Sequence, residues 1–137
     1  MTDQNTRIGE SNKLRFYKLF KTSFVKEPYL NHIRDFKLRK TLTKFRCSDH
    51  ILEIEVGRQK NLKVEERICK LCNSGEVETE LHFLGQCPAY TQLRSHYFGD
   101  AMNWIDILIC KDKITNYKLA NYIDKAFKFR KTVLASL

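Results

Sequence analysis

Three cysteines and one histidine fall within nineteen residues of this 137-residue chain. Two residues separate Cys69 from Cys72, nine separate Cys72 from His82, and four separate His82 from Cys87. A two-residue gap lets a tight turn aim both sulfurs at one point. The second pair can close a tetrahedron from a helix end and the loop after it. Zn²⁺ favours four nitrogen and sulfur ligands in that geometry, with Zn–S of roughly 2.3 Å and Zn–N of roughly 2.0 Å. A complete Cys3His set leaves no position open for water or substrate. The expected cofactor is therefore one structural Zn²⁺, and a metal-dependent hydrolase is disfavoured.

Other cysteine chemistries fit less well. A redox Cys-x-x-Cys opens a helix in a βαβ setting, whereas Asn73-Ser74-Gly75 after Cys72 forms a turn signal. A disulfide framework needs an oxidising compartment, and Met1–Glu10 has no apolar run of the kind a secretory signal carries. The expected location is intracellular and nuclear, not secreted. Five cysteines are also an odd number, and Cys47 and Cys110, outside the cluster, are expected as small buried hydrophobes. No stretch approaches eighteen consecutive apolar residues, so no membrane span or membrane partner is expected.

The elements that must position the cluster follow from periodicity and capping. The length fits one domain. Residues 1–12 are polar and expected to be flexible, followed by one domain over 13–137: basic helices at 13–60, the zinc segment at 61–90 and C-terminal helices at 91–137. Ser11 or Asn12 would cap a helix to about Phe24, broken at Glu27-Pro28. Pro28 would start a short helix through Ile33. Asp35 is placed to cap a helix over Phe36–Cys47, with Leu38, Leu42 and Phe45 on one face and Lys37, Lys40 and Lys44 opposite. Residues 48–58 fit either alternation or a three-residue step. A short helix is the choice, capped by Ser48 or Asp49 and ended by Gly57. His50 is expected as a capping or core residue, not a fifth ligand.

The Cys69–Cys72 turn is expected to join two short strands, with Gly75 supplying a positive φ. Glu76–Leu84 reads as a helix, which would set Glu78 one turn before His82 as the carboxylate that orients its imidazole. Pro88 opens a helix ending near Gly99. Asn103 caps Trp104–Cys110, with Trp104 expected in the core. A final helix over about Thr115–Ala135 carries Leu119, Tyr122, Ile123, Ala126 and Phe127 at three- and four-residue steps. The fold class is thus mainly α: a small helical domain organised around a Cys3His zinc site with a short β-hairpin.

Charge points to the class of partner. The net charge is +9, from 25 basic and 16 acidic residues, and it is unevenly spread. Residues 1–60 are net +7, residues 61–100 net −2, and residues 101–137 net +4. Three thiolates on one Zn²⁺ would make the middle more negative still. If the chain holds a polyanion, the flanks hold it and the metal fixes the flanks. Lys37, Arg39, Lys40, Lys44 and Arg46, with Arg58 second, are the candidate nucleic-acid contacts. The competing explanation for that stripe is a solvated helix face.

Several motifs resemble one family. They are Leu42-Thr-Lys-Phe-Arg46, Gly57-Arg58, Glu65-Glu-Arg-Ile-Cys69-x-x-Cys72, Glu80-Leu-His82-Phe-Leu-x-x-Cys87-Pro88-x-Tyr90 and Ala126-Phe-x-x-Arg130. Together they resemble the zinc-binding region that follows the reverse transcriptase domain in non-long-terminal-repeat retrotransposon proteins. The resemblance spans about residues 13–135, and its specific part is the Cys-x-x-Cys…His-x4-Cys-Pro segment. It implies a zinc site at Cys69, Cys72, His82 and Cys87, and a role in holding template RNA or target DNA for a polymerase. No polymerase domain is present here. Tyr122-Ile-Asp-Lys125 lacks the second aspartate of a polymerase motif, and no clustered carboxylates, phosphate loop or Ser/His/Asp set appears. A truncated or stand-alone copy of the terminal module is expected, with no chemistry of its own. It would bind RNA or DNA with low sequence specificity, or alternatively dock on a reverse transcriptase domain or another protein.

Overall fold

One long helix organises the chain, and its sequence shows why. In the computed structural model, which describes Phe16, residues 29–99 and residues 103–137, six α-helices are formed: α1 (Tyr29–His32), α2 (Phe36–Arg46), α3 (Glu53–Gln59), α4 (Thr91–Phe98), α5 (Trp104–Ile109) and α6 (Lys113–Ala135). Helix α6 buries Leu119, Ala120, Tyr122, Ile123 and Ala126, and α1, α2, α4 and α5 all pack against it. The expected flexible segment at 1–12, the helix to Phe24 and the Glu27-Pro28 break lie outside the described residues, apart from Phe16. That ring is buried and meets Phe45 edge-on at 5.3 Å. Phe45, Phe83, Tyr90 and Phe127 continue the aromatic core, with Phe83 4.6 Å from Phe127 and 4.9 Å from Tyr90.

Side-chain caps set the helix starts. Asp35 accepts the Leu38 N–H, Asn103 accepts the Asp106 N–H, and Asp112 accepts the Thr115 N–H. Helix α6 therefore begins two residues before Thr115, where Asp112 supplies the cap. Trp104 opens α5 and is half-buried, packed on Phe98 and Tyr122 at 5.2 and 5.7 Å. Cys47 and Cys110 are half-buried at the ends of α2 and α5.

Residues 47–62 depart from the sequence expectation in an instructive way. Ser48 does not start α3; it ends α2. Its φ is +59°, its N–H bonds to the Phe45 carbonyl, and the Asp49 N–H bonds to that of Lys44. That pair of bonds is a Schellman end. A glycine would fit the backbone there, but the Ser48 hydroxyl is buried and bonds to Glu80 at 2.9 Å. Asn61 ends α3 in the same way at φ +60°, with Leu62 bonded to the Gly57 carbonyl. Gly57 lies inside α3 and does not stop it. A Cβ there would run into the Cγ and Cδ of Arg67, whose guanidinium donates to the carbonyls of Ile54 and Leu62.

The expected β-hairpin reduces to one antiparallel pair, Ile68 with Val77. The Cys69 N–H bonds to the Glu76 carbonyl and the Glu78 N–H to that of Arg67. No strand forms among the described residues, because the turn holding two of the candidate ligands takes up the intervening chain. Replacing Gly57 by alanine should cost about 1–3 kcal/mol, the range for overpacking a filled site. Urea denaturation of the metal-loaded protein against wild type measures it.

Candidate metal centre

The four candidate ligands come from two local structures that face each other. Cys69 and Cys72 flank a bent turn closed by the Ile68–Val77 pair, with Gly75 at φ +74°. Thr79 then caps a short helical start by accepting the His82 N–H at 3.0 Å. From His82 to Gln86 the chain widens into a π-helical turn, closed by the Cys87 N–H on the His82 carbonyl at 2.7 Å. The widening has a geometric purpose. In an α-helix each residue turns about 100°, so a residue five further on points about 140° away. The wider turn brings Cys87 back beside His82.

The expected helix from Glu76 thus starts only at Glu80, because Val77 is taken by its pairing with Ile68. That shift overturns the role expected for Glu78. Its carboxylate does not orient His82. It is fully buried, receives Nε and Nη2 of Arg130 at 3.0 and 2.8 Å, and accepts the Glu53 N–H at the start of α3. The carboxylate nearest His82 Nδ1 is the exposed Glu76, at 3.7 Å.

All four ligand atoms lie within 4.8 Å of one another, close enough to hold one metal ion. Cys69 Sγ is 3.9 Å from Cys87 Sγ, and Cys72 Sγ is 3.5 Å from His82 Nε2. A tetrahedron built on roughly 2.3 Å Zn–S and 2.0 Å Zn–N bonds has edges of about 3.8 Å between sulfurs and about 3.5 Å between sulfur and nitrogen. The donor set fits. Cys69, Cys87 and His82 are buried and Cys72 is half-buried.

Electrostatics point the same way. A backbone N–H two residues on bonds to each sulfur and favours its thiolate: Leu71 for Cys69, Ser74 for Cys72 and Ala89 for Cys87. Burial opposes that charge. It pushes the Cys87 thiol up to about 12, with the neighbouring Cys69 and Cys72 acting in the same direction, and it raises Cys69. At Cys72 burial also raises, but the Ser74 hydroxyl and N–H outweigh it and hold this thiol below its ordinary value. Burial holds His82 low against the pull of Glu76 and Glu78, leaving a neutral imidazole with a lone pair to give. Three crowded sulfurs whose N–H bonds favour ionisation and whose burial resists it are reconciled by a dication at their centre.

Arginines fasten this segment to the helices. Arg67, two residues before Cys69, grips α3. Arg94 of α4 donates to the carbonyls of Leu84 and Cys87 at 2.8 Å each. Tyr122 of α6 reaches the Leu84 carbonyl at 3.1 Å. Glu80, buried two residues before His82, takes Ser48 and His50, the latter at 2.7 Å. The His50 side chain is thus buried against Glu80, and its Nδ1 also accepts the Leu52 N–H just before α3. Periodicity could not have found Glu78, Glu80, Arg67 or Arg94 in these roles. Four charged residues beside a ligand cluster were the available signal.

The six candidate nucleic-acid contacts divide. Lys37, Lys40 and Lys44 are exposed along α2. Arg46 departs from the exposed stripe: it is 3% exposed, bonds to the Leu108 carbonyl at 2.8 Å and lies 5.2 Å from the Tyr29 ring. Its long stem follows the apolar side of α2, so the head stays inside the fold. Arg39 is half-buried, with Nη1 on the Ile33 carbonyl, and Arg58 is half-buried against Glu55 on α3. The chain matches no family model, no curated protein and no solved structure.

Glu76 and Glu78 separate under substitution. Glu78→Gln should destabilise the metal-loaded fold by about 3 kcal/mol, because it leaves the buried Arg130 charge with only its longer 3.6 Å contact to Glu53. Glu76→Gln should leave stability unchanged and lower metal affinity less than about tenfold, the low end for an outer carboxylate. Urea denaturation and competition with a chromophoric chelator read the two quantities.

Proposed function

We propose that this chain is a non-enzymatic module in which one Zn²⁺ fastens a helical scaffold that binds RNA or DNA through its basic helices. Zinc is favoured over other metals by the soft Cys3His set and its tetrahedral spacing. With all four positions filled by protein, the ion holds the fold and has no site for a substrate. The observation that carries the nucleic-acid assignment is the row of exposed lysines on α2, Lys37, Lys40 and Lys44. No acidic residue interrupts the row, and α2 is tied to the metal segment through Ser48, His50 and Glu80.

The motif resemblance to the region following a retrotransposon reverse transcriptase domain supports the same assignment. On this reading the module works in the nucleus beside such a polymerase, holding template or target. Lysine contacts to phosphate carry no base information, so sequence specificity is low. The alternative, in which α6 offers its apolar face to a protein partner, has less support. That face is already occupied by α1, α2, α4 and α5.

Purified protein should contain one zinc per chain, and chelation should remove much of its far-UV helical signal, because metal binding and folding are coupled. Gel shifts with duplex and single-stranded DNA and RNA should show affinity falling with salt, at a log–log slope of about −2 to −3 for three lysine contacts. A slope near zero, or no binding at about 50 mM salt, would remove the nucleic-acid assignment, since phosphate neutralisation dominates such binding at low ionic strength.

A further inference from the structure

Between α2 and α6 lies a cleft of about 330 Å³. Its inner surface is apolar and aromatic. Phe45 and Phe127 line it from the two helices, and Ile51, which is 57% exposed, stands at the loop leading to α3. The Phe127 ring is braced by Phe83 at 4.6 Å and by Phe45 at 6.2 Å, so its position is set by the core while part of it stays accessible. The cleft has positive charge on both edges. Lys44 stands on the α2 side, and Lys128 and Lys131 stand on the α6 side.

Two acids are also present, and one of them neutralises Lys128. Asp124 is held by Lys128 at 2.9 Å, and Asp49 is exposed at the mouth. Among the described residues no carboxylate lies within ion-pair distance of Lys44 or Lys131. The recess is at the small end of the range for ligand sites, about 300–1,000 Å³. That volume is large enough for one planar ring. An aromatic floor between cationic edges matches an unpaired base flanked by its own phosphates, the arrangement by which single strands are held. A duplex keeps its bases inside and can offer the lysines only its backbone.

We infer that the α2–α6 cleft is a single-strand site: it takes one unstacked nucleobase against Phe127 and Ile51, with the adjoining phosphates on Lys44 and Lys131. This rests on the nucleic-acid assignment above and adds to it a place, a strand state and a contact set. The α2 row of Lys37 and Lys40 extends the track away from the cleft. Base-to-aromatic stacking tolerates any base, so the site selects strand state and not sequence.

The test uses the zinc-loaded full chain and fluorescence anisotropy with a labelled twelve-nucleotide oligothymidine, an oligouridine of equal length, and the corresponding duplex. At about 100 mM salt the single strands should bind at least tenfold tighter than the duplex, since stacking of about 1–3 kcal/mol per base is open only to them. The double substitution Lys44→Ala, Lys131→Ala should weaken single-strand binding about tenfold or more and reduce the salt slope by about 1.4, at roughly 0.7 per lost phosphate contact. Ile51→Glu, at an exposed position that the fold does not need, should do at least as much. Lys118→Ala and Lys113→Ala, exposed elsewhere on α6, should change little.

Single-strand binding that keeps its affinity and slope in the cleft variants overturns the cleft and leaves the wider assignment standing. Equal affinity for duplex and single strand overturns the strand selectivity that defines the site. Displacement by polyglutamate at equal charge overturns base recognition and leaves a merely cationic surface. No binding of any nucleic acid overturns both this site and the assignment on which it rests.

Discussion

The requirement that Cys69, Cys72, His82 and Cys87 meet at one point shapes everything around them. Their segment buries Phe83 and Leu84 in the core, but residues 73–76 are exposed and no strand ladder forms among the described residues, so burial alone does not fix the turn that carries Cys72. Its ligand atoms nonetheless lie within 4.8 Å of one another. Meeting that requirement needs two unusual pieces of backbone, a turn closed by a single antiparallel pair and a π-helical turn that swings Cys87 back to His82. A cation held at this site would make the two mutually dependent.

The same segment is where the helices are tied together. Glu78 joins α3 to Arg130 of α6, and Glu80 joins the end of α2 and the loop after it. These carboxylates are buried, and buried charge is tolerated only when it is paired and hydrogen-bonded throughout. Glu78 meets that condition with both oxygens engaged. A pair of this kind is weak evidence for net stability but strong evidence for a single arrangement, since any slip of the segment would strand Arg130. The candidate metal site, arginines and carboxylates thus meet on one short stretch. Helix α2, with its lysines, and helix α6, with Lys128 and Lys131, are oriented through it.

Charge is segregated accordingly. Around the candidate metal site Arg67, Glu78 and Glu80 turn inward, whereas the lysines of the flanking helices α2 and α6 face outward. Arg46 shows that the division is not by residue type: it belongs by spacing to the α2 stripe, yet it serves the interior through the Leu108 carbonyl. The lysines, with compact and strongly hydrated heads, remain outside. In the cleft between α2 and α6 this outward charge borders a partly accessible aromatic surface.

The ligand set was legible in the chain because metal spacing is a local pattern, and the same holds for the helices capped by Asp35 and Asn103 and for the apolar period of α6. Each of these is decided within one or two turns by groups adjacent in sequence. What only the tertiary structure decided lies at longer range. Glu78 pairs with Arg130 across 52 positions, so no window of sequence could show that it turns away from His82. Ser48 ends a helix and does not begin one because its hydroxyl meets Glu80, 32 positions on. Gly57 sits within α3 because the stem of Arg67 fills the space a side chain would need. The hairpin fell short for a related reason: ligand convergence claimed the chain that strands would have used. Local chemistry chose the metal centre, and the partners of buried charges, settled only once distant segments pack, chose how the helices stand around it.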